Sequence, residues 1–221
     1  MPFEIVALGD AALIVRIGAS LGKVLQTLQK LEAAELTGVA EVAPAPDSVA
    51  VFFTAPPDFE SIAEEIQTVL RSKARGREKT PKPRKIVVPV CYDPVFGPDL
   101  ELVAQHCGLS PEEIGQRHAA ARYRVQCLGF TPGFPYLSGL PPKLATPRRV
   151  TPRTAVPAGS VAIGGAQTGI YPLPSPGGWN IIGRTPLQFF DVTRAPASLL
   201  RAGDEVRFAS ISRGEFERWA K

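Results

Sequence analysis

At 221 residues the chain has room for one large domain or two small ones, and 44% hydrophobic with 21% charged residues is the composition of a folded globular protein, not of a disordered or collagenous one. No apolar run approaches the roughly 20 residues needed to cross a bilayer, and MPFEIVALGD lacks the basic-then-apolar layout of a secretory signal, so the expected location is the cytoplasm. The net charge of +4 is unevenly spread: residues 1–70 carry three basic and ten acidic side chains, residues 71–85 eight and one, and the remainder fourteen and ten.

In chain order, FEIVALGD and AALIVRIG read as two strands joined at the turn-forming pair Gly9-Asp10. Leu21, Val24, Leu25, Leu28 and Leu31 recur at helical spacing. VAEVAP and SVAVFFT are two further strands, and Phe59, Ile62, Ile66, Val69 and Leu70 mark a second helix. This predicts an α+β domain over residues 1–80, a ferredoxin-like sheet with two helices. It ends in RSKARGREKTPKPRK (71–85), a basic tract without the interleaved aromatics that stack on bases, which reads as a solvated linker and not a nucleic-acid site.

Residues 86–221 have a different grammar. KIVVPVCY either closes a sheet or leads out of one, and two short helices follow. Ser110, Pro111 and Glu113 form a capping box with proline at the first helical position, and Leu109 and Ile114 are placed for a hydrophobic staple. From Tyr123 the segments YRVQCLGF, GSVAIGG, TGIYPL, NIIGR, LQFFDV and EVRFAS predict short strands of a closed or nearly closed barrel. Cys91, Cys107 and Cys127 are odd in number and contain no CxxC, which argues for buried reduced thiols over disulfides or structural zinc. With only His106 and His118 present, no metal ligand set is identified.

Chemistry concentrates in three places. GFTPGFPYLSGL (129–140) combines glycines for close approach, prolines for rigidity and aromatics for flat surface. SVAIGGAQTGIYPLPSPGGWNIIGRTP (160–186) is glycine-rich and carries Gln167, Tyr171, Trp179, Asn180 and Arg184; it reads either as ordinary barrel turns or as an anion cradle. Arg148, Arg149 and Arg153 are either a carboxylate or phosphate clamp or a solvated loop. His118, four residues after Ile114, is either a satisfied core histidine or a general acid/base. Walker A and GxSxG patterns are absent.

Taken in order, PVCYD, FGPDLELVA, GLSPEEI, GFTPGFPYL, VPAGSVAIGGAQTGIYP and SPGGWNIIGRTP resemble the KipI-like family. That family is also called allophanate hydrolase subunit 1, and its bacterial members are mostly described as the B component of 5-oxoprolinase. The resemblance runs over nearly the whole chain. It implies an α+β N-terminal domain followed by a mainly-β cyclophilin-like barrel of carboxyltransferase type. It also implies partners, a homologous KipA-like C component and a LamB/YcsF-like A component, with ATP bound in the assembled complex. Together these open 5-oxo-L-proline to glutamate, the single chain being inactive alone. The resemblance further implies His118 as catalytic residue, and Tyr123, Gly129, Phe130, Gly133, Gln167, Tyr171, Gly178, Trp179 and Arg184 as substrate-binding residues. Two alternatives accompany it: inhibition of a sensor histidine kinase, and a role within a biotin-dependent urea or allophanate carboxyltransferase. Met1 is the only methionine, so no Met-Lys-Met biotinyl motif is present.

Overall fold

The computed structural model describes residues 3–72 and 83–219 and divides the chain into two compact units, Met1–Lys82 and Pro83–Lys221. In the first unit β1 (Glu4–Ala7) and β2 (Ala12–Arg16) form a hairpin, followed by α1 (Leu21–Ala33), β3 (Val39–Pro44), β4 (Ser48–Phe53) and α2 (Phe59–Arg71). Gly9 turns the first hairpin in the left-handed region, φ +67°. The antiparallel sheet has the order β1-β2-β4-β3. That is the strand order of a ferredoxin-like sheet whose last strand has been moved to the front of the sequence.

Register explains why one face of this sheet is buried. Leu13 lies opposite Val51 and Val15 opposite Val49, so alternation turns all four to the same side. Val24 and Leu31 of α1 and Ile62, Ile66 and Leu70 of α2 cover them in one apolar cluster. Asp58 caps α2, its carboxylate accepting from the Glu60 and Ser61 amides at 3.2 and 3.4 Å. Both end residues of the basic tract belong to regular elements: Arg71 closes α2, and Lys85 opens the next strand. Residues 73–82 of the predicted linker lie outside the described residues.

The second unit opens with β5 (Lys85–Val90), α3 (Leu100–Cys107) and α4 (Pro111–Ala120), then β6 (Tyr123–Leu128) and β7 (Pro135–Ser138). A 3-10 turn (Pro142–Leu144) leads to β8 (Arg153–Val156), β9 (Ser160–Gly164), β10 (Gln167–Ile170), β11 (Ser175–Gly177), β12 (Asn180–Arg184), β13 (Glu205–Ser210) and α5 (Arg213–Trp219). Seven strands form one sheet in the order β12-β9-β10-β7-β6-β13-β5. KIVVPVCY closes this sheet: β5 pairs in parallel with β13, and Cys91 just beyond it exchanges both backbone hydrogen bonds with Arg184 of β12, at 2.9 and 3.0 Å. The result is a nearly closed barrel, since a seam of this kind removes the free edges of a sheet.

Both helices, whose Leu100, Val103 and Ile114 join the barrel core, are bounded by their own sequences. Gly108 ends α3 at φ +61°, and the Ser110–Glu113 capping box starts α4, with the two reciprocal bonds at 3.1 and 2.8 Å. Arg84 anchors the start of the unit by pairing with the buried carboxylate of Asp204. All three cysteines are buried and free.

LQFFDV is not the strand its composition predicts; it makes only the isolated bridge Phe190–Ser198. The Asp191 carboxylate captures the Thr193 amide and hydroxyl at 2.9 and 2.7 Å, a local turn that competes with ladder pairing. Phe189 nevertheless reaches the barrel core. Among the described residues, no helix is long and apolar enough to cross a membrane, and no group of three or more His, Cys, Asp and Glu is placed to hold a metal ion.

Candidate functional site

Two sides of the β9–β10–β7 sheet carry different chemistry, and strand alternation decides which residue goes where. Thr168 pairs with Leu137, and both are fully buried on the inner side. Their neighbours Gly169 and Tyr136 pair on the outer side. Gln167 therefore shares the outer side with Gly169 and with Tyr171, just past the end of β10.

On that outer side a set of aromatic rings packs edge to face. Phe134 stands 5.5 Å from Trp179, 5.2 Å from Tyr171 and 5.0 Å from Tyr136, and Tyr136 stands 5.8 Å from Trp179. Two glycines let the rings lie on the sheet. A Cβ at Gly164 would come within 2.5 Å of the Trp179 ring, and one at Gly169 within 2.8 Å of Phe134. Gly164→Ala is accordingly expected to destabilise the second unit by about 1–3 kcal/mol, as overpacking does, and to shift Trp179 fluorescence. A variant that melts with wild type and leaves the emission unchanged would refute this packing.

GFTPGFPYLSGL builds the rim of the same wall. The Gly129 amide donates to the Phe134 carbonyl at 3.1 Å and the Phe134 amide to the Thr131 carbonyl at 3.0 Å, closing a tight turn before Pro135 begins β7. The turn holds Phe130 at φ +68°, a conformation a non-glycine residue rarely adopts. Its ring is 60% exposed, 5.6 Å from Phe134 and 6.3 Å from Tyr171. Gly133 packs against Phe190, and the Thr131 hydroxyl is buried without a partner. An exposed aromatic ring on strained backbone, standing on a buried aromatic base, is the most prominent chemical feature of this face.

Three arginines flank it, and they divide. Arg149 and Arg153 clamp a carboxylate, but it is the protein's own. Asp99, 3% exposed, accepts from Arg149 Nη1 at 2.7 Å, from Arg153 Nη1 and Nη2 at 2.7 and 2.8 Å, and from the Ile181 amide at 2.8 Å. Arg148 points elsewhere: it is exposed, its guanidinium carbon lies 5.7 Å from the Trp179 ring centroid, and it forms no salt bridge among the described residues. Of the two readings of this segment, the carboxylate clamp applies to Arg149 and Arg153, on an internal carboxylate, and the solvated side chain to Arg148.

His118 sits on the other side of the wall. It is fully buried, and Thr168 Oγ1 lies 2.9 Å from its Nε2. Because that hydroxyl donates to the Ala162 carbonyl at 3.0 Å, it accepts from Nε2–H. Nδ1 is then the acceptor for the Tyr92 hydroxyl at 2.8 Å. The ring stacks on Phe208, centroids 4.5 Å apart. Burial drives its pKa from 6.5 down to about 3. Tyr123 is buried beside it, donating to the His118 carbonyl at 2.9 Å, and burial pushes its phenol above the usual range. Such a histidine has no spare proton and no open face, which is the arrangement of a satisfied core histidine.

Of the residues singled out in the sequence, Phe130, Gly129, Gly133, Gln167, Tyr171, Gly178 and Trp179 gather on or around the outer face. Gln167 bonds Gln126 at 2.9 Å, Gly129 faces the Tyr136 ring, and the Gly178 carbonyl accepts from the Arg149 amide at 2.7 Å. His118 and Tyr123 lie inside the barrel. Arg184 lies at the seam, its Nε donating to the Ala158 carbonyl at 2.8 Å. Asp99 carries no sequence signal of its role, because a lone aspartate before an apolar helical run reads as an N-cap; it makes no side-chain cap bond. Two clefts of about 410 and 420 Å³ lie elsewhere, one lined by Tyr92, Pro111 and Gly115, the other by Ile211, Glu215 and Trp219. No residue of the aromatic wall lines either.

The chain thus consists of a small α+β unit and a nearly closed mixed barrel with an aromatic outer face. The chain belongs to the family "Carboxyltransferase domain, subdomain C and D", whose model matches residues 3–200. It is 39% identical to the B component of 5-oxoprolinase from Bacillus subtilis, over 98% of this chain and 96% of that protein. It is 42% identical to the protein of the same name in Escherichia coli O157:H7, over 94% and 95%. Among solved structures, TTHA0988 superposes with a TM-score of 0.76 at 35% identity over 91% of this chain, which spans only 40% of that longer one. The Kluyveromyces lactis urea carboxylase shares the fold, with a TM-score of 0.76 at 18% identity over 98% of this chain and 22% of that one.

Proposed function

We propose that this chain is the B component of an ATP-dependent 5-oxoprolinase, opening 5-oxo-L-proline to glutamate with partner proteins of the KipA-like (C) and LamB/YcsF-like (A) kinds. The observation that carries the reading is the near full-length identity to two proteins that bear the name of the 5-oxoprolinase B component. The outer face supports it chemically. A lactam is a resonance-stabilised amide, and opening it calls for a surface that holds a flat ring and keeps bulk water from an activated carbonyl. The exposed Phe130 ring and the half-buried Tyr136, backed by the buried Trp179, offer such a surface. ATP is a co-substrate of the assembled complex in this proposal, and no residue of this chain is assigned to it. His118 is given a positioning role, holding Thr168 and β10 from inside the barrel, and not a proton-transfer role.

The test is 5-oxo-L-proline-dependent ATP hydrolysis by the three proteins together and with each omitted. Glutamate formation that requires this chain is the expected result. Full activity without it would sink the 5-oxoprolinase reading and favour a regulatory role such as kinase inhibition. The family's carboxyltransferase description and the shared fold of the urea carboxylase motivate a second arm, with urea as substrate and a biotin carrier added. Carboxylation there, without lactam opening, would favour the biotin-dependent alternative.

A further inference from the structure

We infer that Arg148 is the residue on this face that recognises a carboxylate, and that the ligand class it selects is a small flat amide bearing an acid group. This deepens the lactam-opening reading above and rests on it. Several observations converge. Arg149 and Arg153 both turn their guanidinium donors on Asp99, so of the three arginines in this segment only Arg148 has a fork with no internal carboxylate on it among the described residues. Its position is built from both sides. The Pro147 carbonyl accepts from Asn180 Nδ2 at 2.8 Å, and the Arg149 amide donates to the Gly178 carbonyl at 2.7 Å. The Arg149 side chain is itself fixed at 2.7 Å on Asp99. An arginine on a surface loop is ordinarily free to wander; here the backbone on either side of residue 148 is pinned to β12 and the turn before it.

The guanidinium lies over the Trp179 ring, its carbon 5.7 Å from the ring centroid. A planar fork of N–H donors held beside an aromatic surface can take a carboxylate in two parallel hydrogen bonds while the ring of the ligand rests on the aromatics.

The experiment compares binding of 5-oxo-L-proline with binding of 2-pyrrolidinone, the same lactam without its acid group. Equilibrium dialysis with labelled 5-oxo-L-proline, and with the neutral lactam as competitor, is run on the full chain alone and with its partner proteins. The wild-type protein is expected to prefer the acid by roughly tenfold or more, the scale of a charge-assisted hydrogen bond. Arg148→Gln should abolish that preference, and Arg148→Lys should keep part of it, because the charge survives but the fork does not. The exposed side chain can be replaced without disturbing the core, and thermal melts confirm the fold of each variant. Discrimination that persists in Arg148→Gln overturns the inference, as does a wild-type protein with no preference or with no saturable binding in either form. If the preference is present and depends on Arg148 but the assembled complex opens no lactam, the carboxylate site stands and the proposed reaction falls. Turnover with discrimination independent of Arg148 has the reverse meaning.

Discussion

Asp99→Ala is expected to cost the second unit about 3–5 kcal/mol, the penalty for removing one partner of a buried ion pair and stranding the others. The carboxylate is 3% exposed, and its loss leaves two half-buried guanidiniums and the Ile181 amide without an acceptor. One side-chain nitrogen of this group, Arg149 Nε, is already buried without a partner, so no spare hydrogen-bonding capacity is at hand. Arg149→Ala, which removes a donor from a carboxylate that keeps Arg153 and Ile181, should cost visibly less. Urea denaturation of the three proteins checks the ranking. An Asp99→Ala protein as stable as wild type would mean that the clasp contributes nothing net, as some buried pairs do when their neighbours relax. The expected collateral effect is on the outer face: with Arg149 unanchored, Arg148 loses its fixed place.

For His118 the expected result is a histidine that never titrates in the folded protein near neutrality. Its pKa is held at about 3 by burial, against 6.5 when the chain is unfolded. The unfolded state therefore binds a proton over that whole interval while the native state does not. Stability contributed by the neutral imidazole is complete above about pH 6.5 and is lost as pH falls toward about 3, with a slope near 1.4 kcal/mol per pH unit. Comparing the pH dependence of unfolding in wild type and His118→Gln isolates this slope from that of the carboxylates. Nitrogen-15 NMR should show one unchanged neutral tautomer, protonated at Nε2, from about pH 8 to about pH 5. His118→Ala should destabilise by about 3 kcal/mol, through a cavity and the Tyr92 hydroxyl left without its acceptor. An imidazole that titrates near pH 6.5 in the native protein, together with a lactam-opening rate that follows it, would restore the acid/base role.

Much of the secondary structure was legible because its causes are local. The capping box at Ser110, the left-handed stop at Gly108 and the four-residue spacing of Ile62, Ile66 and Leu70 all act within one or two turns of helix. Strand β7 was not, because it hides inside GFTPGFPYLSGL: a strand that begins on a proline and is flanked by glycines carries the signals of a loop. The short pair β8–β11 and helix α5 carry no stronger signal. LQFFDV failed in the opposite direction, since apolar composition says that a segment is buried and not that its backbone is paired.

The site was legible in its residue types and illegible in its sides. Phe130, Tyr171 and Trp179 stood out as aromatics among glycines, yet nothing in the linear order separates them from His118. Asp99 finds its arginines 50 and 54 residues further along the chain, a distance over which no spacing rule operates.

By itself the amino-acid sequence determined the family, the two-part organisation and most helices, since motifs, caps and periodicity depend on neighbours in the chain. Tertiary structure alone decided which side of the barrel each functional candidate faces. Thr168 sits opposite Leu137 and Gly169 opposite Tyr136, and that register sends Thr168 inward to His118 and leaves Gln167 outside. A slip of one residue would exchange the two faces, because side chains alternate along a strand. The register that prevents it comes from packing between strands far apart in sequence.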